Sequence, residues 1–345
     1  MTRRTGTSLI EVLVTIGILG IGLISVIALF PMAAITMGQA LKDDRTATCA
    51  ATADGYIRNV HFRNVVEQTT PTEPYFFAMD GNQTDGQTPL SGTALGTGVP
   101  TPQLSNPSAN TPIYPDSHPS YPVFVDPMGY ATGSNAVGDL GSFTGGTYAI
   151  PRVTVQTIQS QATTAQQNLL ALRLCSQMDG LTYNDDAVAQ QGASMRELRY
   201  NWLWVLQRPT NSDRTTTTCT VVVFDRRVNL YKPPGSEAVF TTTFNPAQTS
   251  VTISSTADVR KGSWVMDGTI TTVTDPDNVS RPIRHAIFYR VLSVNDNGNG
   301  SYTLELNTPI TRLDGQTYPY TGNVVVMPAV ADVYQRPVLS STVGP

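Results

Sequence analysis

The chain has 345 residues, of which 40% are hydrophobic and only 14% are charged. This length and hydrophobic content suffice for one large or two small folded domains in addition to a membrane segment. The formal net charge is -4 and no Lys/Arg cluster follows the N-terminus. A surface that tracks nucleic-acid phosphates is therefore not expected, and nucleic acid is not a predicted partner.

A basic leader precedes a long apolar run at the N-terminus. Arg3 and Arg4 stand before a segment, Val12–Met37, that contains no charged residue. This segment exceeds the roughly 20 apolar residues that cross a bilayer. The positive-inside rule places the leader in the cytoplasm and the bulk domain on the other side. The sequence thus predicts a single-pass protein of the inner membrane with a periplasmic, or otherwise extracytoplasmic, domain.

Glu11 lies within this apolar series, between Ile10 and Val12. A carboxylate in such a helix costs roughly 2.5 kcal/mol or more unless it has a partner. Cleavage between Gly6 and Thr7 would create a positive α-amino group at the new terminus. Glu11 of one copy can neutralise the amine of the next, and apolar surroundings strengthen that attraction.

The run GTSLIEVLV, from Gly6 to Val14, closely resembles the cleavage and methylation motif of type IV prepilins and type II secretion pseudopilins. The resemblance implies that a prepilin peptidase cuts after Gly6 and that Thr7 becomes the N-methylated terminus. It also implies that Glu11 is the assembly glutamate. Thr7 departs from the Phe or Met usual at this position. Three further segments resemble those of large planctomycete-type members: Phe124–Tyr130, Lys261–Asp267 and Arg284–Val294.

A secretory signal peptide and a plain membrane anchor are the alternative interpretations of this N-terminus. A signal peptide has an apolar core of roughly 7 to 15 residues and a cleavage site of small residues. The run here is longer, carries Glu11 at its start and continues into a helical pattern. These features favour the prepilin-like interpretation.

One helix is predicted from residue 7 to residue 66, after a leader of residues 1–6. Beyond the apolar run, Cys49, Ala53, Tyr56 and Val60 recur at helical spacing. Pro31 lies within this helix and is expected to kink or loosen it. Residues 67–150 are rich in Pro, Gly, Thr, Ser and Asn, and we interpret them as a loop-rich insertion with few strands.

Residues 151–345 are predicted to form a β-rich extracytoplasmic domain. Within it, a helix predicted at Thr163–Met178 is expected to cover one face of the sheet. Asn295–Gly300, NDNGNG, reads as a hairpin turn. The fold class is therefore α+β: a long membrane-spanning helix, then a mainly antiparallel, pilin-like globular domain. Segments rich in Val, Thr, Ile and aromatic residues are the predicted strands: Tyr200–Leu206, Thr218–Tyr231, Ala238–Thr243, Val251–Ser254, Ser263–Met266, Ile283–Val294, Ser301–Asn307 and Asn323–Val330.

The three cysteines are too few and too scattered for a disulfide scaffold or a zinc site. Cys175 and Cys219 can form one bridge in an oxidising compartment, which leaves Cys49 as a thiol. Equally, all three can be thiols buried as small hydrophobic side chains.

Motifs of catalysis are absent from the sequence, which has no P-loop, no GxSxG, no HExxH and no strand-linked GxGxxG. The three histidines, His61, His118 and His285, are widely separated and are interpreted as ordinary surface or core residues. The turns Asp275–Asn278 and Asn295–Asn299 offer oxygen ligands, yet both lack the downstream Glu of the helix-loop-helix calcium motif. No metal and no cofactor is therefore predicted.

All three tryptophans lie in predicted strands: Trp202, Trp204 and Trp264. They could form a sugar-binding platform, but a core or half-buried position in the sheet is the preferred interpretation.

These observations predict a non-enzymatic structural subunit, a minor pilin or pseudopilin of a type II secretion or type IV pilus-like filament. Its predicted partners are the prepilin peptidase, other pilin or pseudopilin subunits and the inner membrane. The alternative is a membrane-tethered extracytoplasmic module that binds a glycan, a surface or calcium without assembling into filaments. Loss of assembly on Glu11→Ala, with the domain still folded, would separate the two.

Overall fold

A computed structural model describes residues 8–66, 119, 122–126, 152–153, 166, 170–171, 174–177, 199–207, 209–210, 216–225, 238–254, 259–274, 280–327 and 329–340. The chain divides into two compact units, Met1–Ala47 and Thr48–Pro345. Gly6 and Thr7 lie outside the described residues, as does most of the predicted insertion. The described part of the chain contains one long helix, α1 (Leu9–Val66).

The strands follow in chain order. They are β1 (Val123–Val125), β2 (Arg152–Val153), β3 (Tyr200–Gln207), β4 (Thr216–Asp225), β5 (Ala238–Phe244), β6 (Ser250–Ile253), β7 (Trp264–Asp267), β8 (Ile270–Thr274), β9 (Ser280–Arg284), β10 (Ile287–Asp296), β11 (Tyr302–Leu306), β12 (Tyr320–Val326) and β13 (Val330–Ser340).

The helix α1 is 58 residues long and continues through Pro31. Its first turn is closed by the carbonyl of Ser8, which accepts hydrogen bonds from the amides of Glu11 at 3.0 Å and Val12 at 3.3 Å. Further along the chain, Gln166 and four nearby residues are also helical, in agreement with the helix predicted at Thr163–Met178: Leu170, Ala171, Leu174 and Cys175.

The first sheet has five strands in the order β13-β4-β3-β1-β2. Its pairs are antiparallel except for the parallel pair β1–β2. Alternate residues of β3 and β4 point to opposite faces, and both faces are buried. One face packs against α1 and the later helical segment through a core cluster: Cys49, Ala50, Ala53, Ile57, Val125, Ala171, Cys175, Tyr200, Trp202, Trp204, Leu206, Cys219, Val221, Val223 and Leu339.

Trp204 fastens α1 to this face of the sheet. Its indole Nε1 donates to the carbonyl of Ala53 at 2.9 Å, and its ring stacks on Tyr56 with 5.5 Å between ring centroids. Arg58 lies one helical turn after Asp54 and pairs with it. The same guanidinium donates to the carbonyl of Pro337 in β13 at 2.6 Å. Cys49, Ala50, Ala53 and Ile57 of α1 are thereby part of the domain core.

The second sheet has six strands in the order β5-β12-β7-β10-β11-β6, all paired antiparallel. It curls until its first and last strands lie side by side, where the hydroxyl of Thr242 in β5 donates to the carbonyl of Thr252 in β6. The enclosed side chains include Phe244, Tyr289 and Tyr320, with Val, Leu or Ile side chains from β6, β7, β10, β11 and β12 around them. The outer face meets the first sheet in a third cluster that contains Leu203, Phe224, Met266, Val325 and Met327.

A third, two-stranded sheet is formed by β8 and β9. The sequence predicts one strand over Ile283–Val294, but this prediction is wrong because the strand is interrupted at His285 and Ala286. There the amide of His285 donates to the carbonyl of Thr269 at 2.8 Å, and the His285 side chain turns toward Asp267. The strand β8, most of β9 and most of β13 were not predicted from the sequence.

The other predicted strands are found within a few residues of their expected positions, except that residues 226–231 of the strand predicted at Thr218–Tyr231 lie outside the described residues. The hairpin at Asn295–Gly300 joins the antiparallel pair β10–β11 as predicted. The coarse fold class, an N-terminal helix followed by a β-rich and mainly antiparallel domain, is confirmed.

Candidate functional site

The N-terminal turn of α1 carries the predicted assembly residue. Glu11 is exposed and lies in the first turn of the helix, where a carboxylate is stabilised by the positive end of the helix dipole. Thr15, one turn later, donates its hydroxyl to the carbonyl of Glu11 at 2.7 Å. The two predicted cleavage residues, Gly6 and Thr7, lie outside the described residues, so their position relative to Glu11 stays a prediction.

Large apolar side chains are exposed along α1 from its first residue to Leu41. Leu9 is 80% exposed and Phe30 is 76% exposed, whereas a helix of a globular protein normally buries its apolar stripe. The exposed set covers successive positions on every side of the helix: Leu9, Ile10, Val12, Leu13, Val14, Ile16, Ile18, Leu19, Ile21, Leu23, Ile24, Ile27, Phe30, Met32, Ile35, Met37 and Leu41.

Three glycines interrupt this apolar surface. A Cβ atom built at Gly17, Gly20 or Gly22 would meet nothing within 4 Å. These positions are open to solvent in the single chain, and small residues on a helix surface let a second backbone approach closely.

The sequence predicts a membrane-spanning segment within residues 7–66. In the part of the chain that the structure describes, no helix is long and apolar enough to cross a membrane.

A polar cluster is buried where the second sheet meets β8 and β9. The carboxylate of Asp267 accepts four hydrogen bonds, two on each oxygen. Oδ2 accepts from His285 Nδ1 at 2.7 Å and from the Tyr320 hydroxyl at 2.8 Å. Oδ1 accepts from the amide of Thr269 at 3.0 Å and from the hydroxyl of the same residue. Four donors fill the acceptor sites of a carboxylate.

Thr271 extends this cluster. Its hydroxyl lies 3.3 Å from Nε2 of His285. The order of hydroxyl, imidazole and carboxylate is that of a hydrolase triad. However, Asp267 and His285 are 1% and 0% exposed and Thr271 is 7% exposed, so a substrate has no access to the hydroxyl. The arrangement instead satisfies buried polar groups, and of the two positions that the sequence left open for His285, surface or core, the structure shows the core.

Two tyrosines around the cluster hold their protons tightly. Burial raises the pKa of Tyr289 to about 12. Burial, and then the charge of Asp267 beside its hydroxyl, raise the pKa of Tyr320 far above its ordinary value. Arg312 lies over the Tyr320 ring at 5.2 Å and opposes this rise. Both tyrosines are therefore hydrogen-bonding phenols at any physiological pH.

The two calcium-like turns differ in what the structure describes. Asp275–Asn278 lies outside the described residues. In Asn295–Asn299, the oxygens of Asp296 and Asn299 accept hydrogen bonds from Gly298 and Ser301. Among the described residues, no group of three His, Cys, Asp or Glu side chains is arranged to hold a metal ion.

All three cysteines are buried in the same core cluster, with no disulfide between them. Cys49 lies on α1, Cys175 in the later helical segment and Cys219 on β4. Burial raises the pKa of the Cys219 thiol to about 12. Since the thiolate is the reactive form, this thiol is chemically inert in the folded protein.

The tryptophans also lie in the core. Trp202 and Trp204 are 1% and 0% exposed on the helix-facing side of the first sheet, and Trp264 is half-buried in β7. The rings of Trp202 and Trp204 meet edge to face, with 6.0 Å between their centroids. The preferred interpretation from the sequence, core or half-buried sheet positions, is confirmed.

Comparison with protein-family models and with curated proteins finds no match. Among solved structures, a phage phi92 endosialidase aligns with 40% of this chain and 18% of its own, at 11% identity and a TM-score of 0.17. A likeness this weak carries no argument about fold or function.

Proposed function

We propose that this protein is a structural subunit of a type II secretion or type IV pilus-like filament, processed after Gly6 and assembled through α1. The observation that carries the proposal is the exposed apolar surface of α1, with Glu11 as the one carboxylate in its first turns. Equivalent helices of other copies are the partners that cover this surface.

The apolar surface supplies the driving force for assembly. Burying a side chain such as Leu13 or Ile21 contributes about 1.5–3 kcal/mol, and exposed apolar patches of this extent on soluble proteins mark interaction sites. The open glycines Gly17, Gly20 and Gly22 allow neighbouring helices to pack at short distance.

Glu11 supplies the register. Once the leader is removed, the α-amino group of Thr7 is the nearest cation that every subunit carries, and Glu11 lies four residues after it in the sequence. An ion pair between Glu11 of one copy and the terminus of the next fixes their axial offset, because any other offset leaves a carboxylate among apolar side chains.

The same proposal includes location and partners. Arg3 and Arg4 before the apolar run support an inner-membrane protein with a cytoplasmic leader and an extracytoplasmic domain. The prepilin peptidase removes the leader, and the other subunits of the filament bind α1. A size of 345 residues favours a minor subunit, since many copies of so large a domain are hard to pack.

Replacement of the assembly carboxylate tests the proposal in cells that contain the peptidase and the rest of the filament. Glu11→Ala and Glu11→Gln are expected to be cleaved after Gly6 as in the wild type but to enter the sheared filament fraction at least about tenfold less, the factor that ~1.4 kcal/mol represents. Intact-mass analysis of the N-terminus and immunoblots of the filament fraction measure the two effects.

Glu305→Gln provides the matched control, since Glu305 is an exposed carboxylate in β11 and should leave incorporation unchanged. A leader that stays attached to the wild-type chain would contradict the proposal. Normal cleavage with no incorporation of the wild type into any filament would favour the tethered binding module instead.

A further inference from the structure

We propose that Asn299 is a site of spontaneous modification, at which the side-chain amide is converted to a carboxylate through a succinimide. Asn299 precedes Gly300 in the exposed hairpin between β10 and β11. The same hairpin contains a second Asn-Gly pair, Asn297–Gly298, which the surrounding contacts protect. The two Asn-Gly dipeptides are chemically identical, but their contacts in the folded protein differ.

The reaction needs only water and a base. The amide nitrogen of Gly300 loses its proton to the base and attacks Cγ of Asn299, so that a C–N bond forms and negative charge develops on Oδ1. The protonated base then returns a proton to Nδ2, the bond from Cγ to Nδ2 breaks, the Cγ–Oδ1 double bond re-forms and ammonia leaves. Water opens the resulting ring at either carbonyl, which gives aspartate or isoaspartate.

The contacts around Asn299 favour each step of this reaction. Its Oδ1 accepts hydrogen bonds from the amide of Ser301 at 3.1 Å and from the Ser301 hydroxyl at 2.6 Å. These are donors to the oxygen on which charge develops, the arrangement that stabilises an oxyanion in acyl transfer. Among the described residues, Nδ2 of Asn299 and the amide of Gly300 have no hydrogen-bond partner. The leaving group and the nucleophile therefore have no hydrogen bond of their own to break.

At Asn297, Oδ1 accepts one hydrogen bond, from the Thr303 hydroxyl at 3.3 Å, but the other contacts oppose the attack and the departure of ammonia. The amide of Gly298, the corresponding nucleophile, donates to the carboxylate of Asp296 at 2.8 Å, so its deprotonation would place two negative charges together. Nδ2 of Asn297 donates to Ser301 Oγ at 3.0 Å and to Thr303 Oγ1 at 3.1 Å. These bonds hold the leaving group and fix the side chain.

Glycine is required after each asparagine for the turn itself. Gly298 and Gly300 have φ of 75° and 78°, a region that other residues seldom enter. The absence of a side chain also leaves their amide nitrogens unhindered. Folding of this hairpin therefore imposes the reactive dipeptide, and the neighbouring polar side chains decide which copy of it reacts.

Incubation of the folded protein at mildly alkaline pH, followed by tryptic peptide mapping, tests the inference. Both asparagines fall in the peptide Val291–Arg312, so fragment masses assign the modification within one peptide. We expect Asn299 to convert at least about fivefold faster than Asn297, the factor that one hydrogen bond of ordinary strength supplies. The same chain in denaturant should modify both at similar rates.

Two variants separate the causes. Ser301→Ala removes the hydroxyl donor and should slow conversion of Asn299 about fivefold, while Asp296→Ala releases the Gly298 amide and should speed conversion of Asn297. Equal rates at the two positions in the folded protein, faster conversion of Asn297, or no change in Ser301→Ala would each overturn the proposal.

Discussion

At Gly322 the backbone of β12 passes directly over Thr269. A Cβ atom at this position would lie 2.0 Å from the Thr269 hydroxyl oxygen, and the Asn323 amide next to it donates to that same oxygen at 3.0 Å. Thr269 in turn donates two hydrogen bonds to Asp267. Because Gly322 has no side chain, Thr269 has the space to keep these bonds to the buried carboxylate.

Gly322→Ala is accordingly expected to lower the free energy of unfolding by about 2–4 kcal/mol, through overpacking and loss of a buried hydrogen bond. Urea unfolding followed by tryptophan fluorescence measures the change.

Gly55→Ala is the control for this substitution, since Gly55 is exposed on α1 and its Cβ would meet nothing within 4 Å. It should be neutral or stabilise by up to about 1 kcal/mol. Similar losses in both variants would show that the contact with Thr269 is unimportant.

Single residues also mark the limit of inference from the sequence. Sheet positions for the tryptophans followed from their surroundings in the chain, whereas the sequence left surface and core open for His285. The partners of His285 did not follow from the sequence either, because Asp267 and Tyr320 lie in other strands, and hydrogen bonds across strands leave no periodic trace in the sequence.

Among the elements, α1 depends on the first sheet for the burial of the apolar side chains between Cys49 and Ile57. Trp204 is the main contact, since it both stacks on Tyr56 and donates to the carbonyl of Ala53. The helix in turn covers the helix-facing side of β3, so each element buries apolar surface of the other.

Trp204→Phe should therefore destabilise the domain by about 2–3 kcal/mol, through a cavity and a lost hydrogen bond. Native-state hydrogen exchange should show the largest loss of protection at residues 49–57.

Trp264→Phe is the matched substitution for this experiment. Trp264 is half-buried, and its Nε1 has no hydrogen-bond partner among the described residues. We expect a loss of about 1 kcal/mol or less and unchanged exchange at residues 49–57. An equal effect of both substitutions on the helix would contradict the role assigned to Trp204.

Strands were predictable where β-branched and aromatic residues form continuous runs, as in β3 and β4. Two failures have physical causes. The run from Ile283 to Val294 was predicted as one strand but is interrupted at His285. The interruption could not be predicted because the bend is stabilised by polar groups that are distant in the sequence. β13 contains Pro337 and several polar residues, which an edge strand tolerates since one side of its backbone is not paired in the sheet.

For the molecule as a whole, the buried tyrosines set an upper limit to the pH of stability. The pKa of Tyr289 is raised to about 12 in the folded state, against about 10 in the unfolded chain. Below about pH 10 both states keep the proton and the full stability is present. As the pH rises from about 10 to about 12, the unfolded state loses its proton first and stability falls.

We expect the free energy of unfolding to drop by up to about 1.4 kcal/mol per pH unit for each such tyrosine in this window. Urea titrations on both sides of pH ~10, with Tyr289→Phe, measure its share, because the variant should lose less stability on the alkaline side. Tyr318→Phe is the control, since Tyr318 is 58% exposed. The same alkaline loss in wild type and Tyr289→Phe would refute this explanation.

The overall plan, a helix and then an antiparallel β domain, followed from composition and local pattern. The curling of the second sheet did not, because it depends on which strands become neighbours. That curling has a consequence for a protein that we propose is crowded among copies of itself. Fibres grow when the unpaired edge strand of one molecule pairs with the backbone of another. In the second sheet, the two edge strands β5 and β6 lie against each other. The second sheet therefore offers little free edge for amyloid-like stacking, and at the edge of the first sheet Pro337 in β13 opposes it.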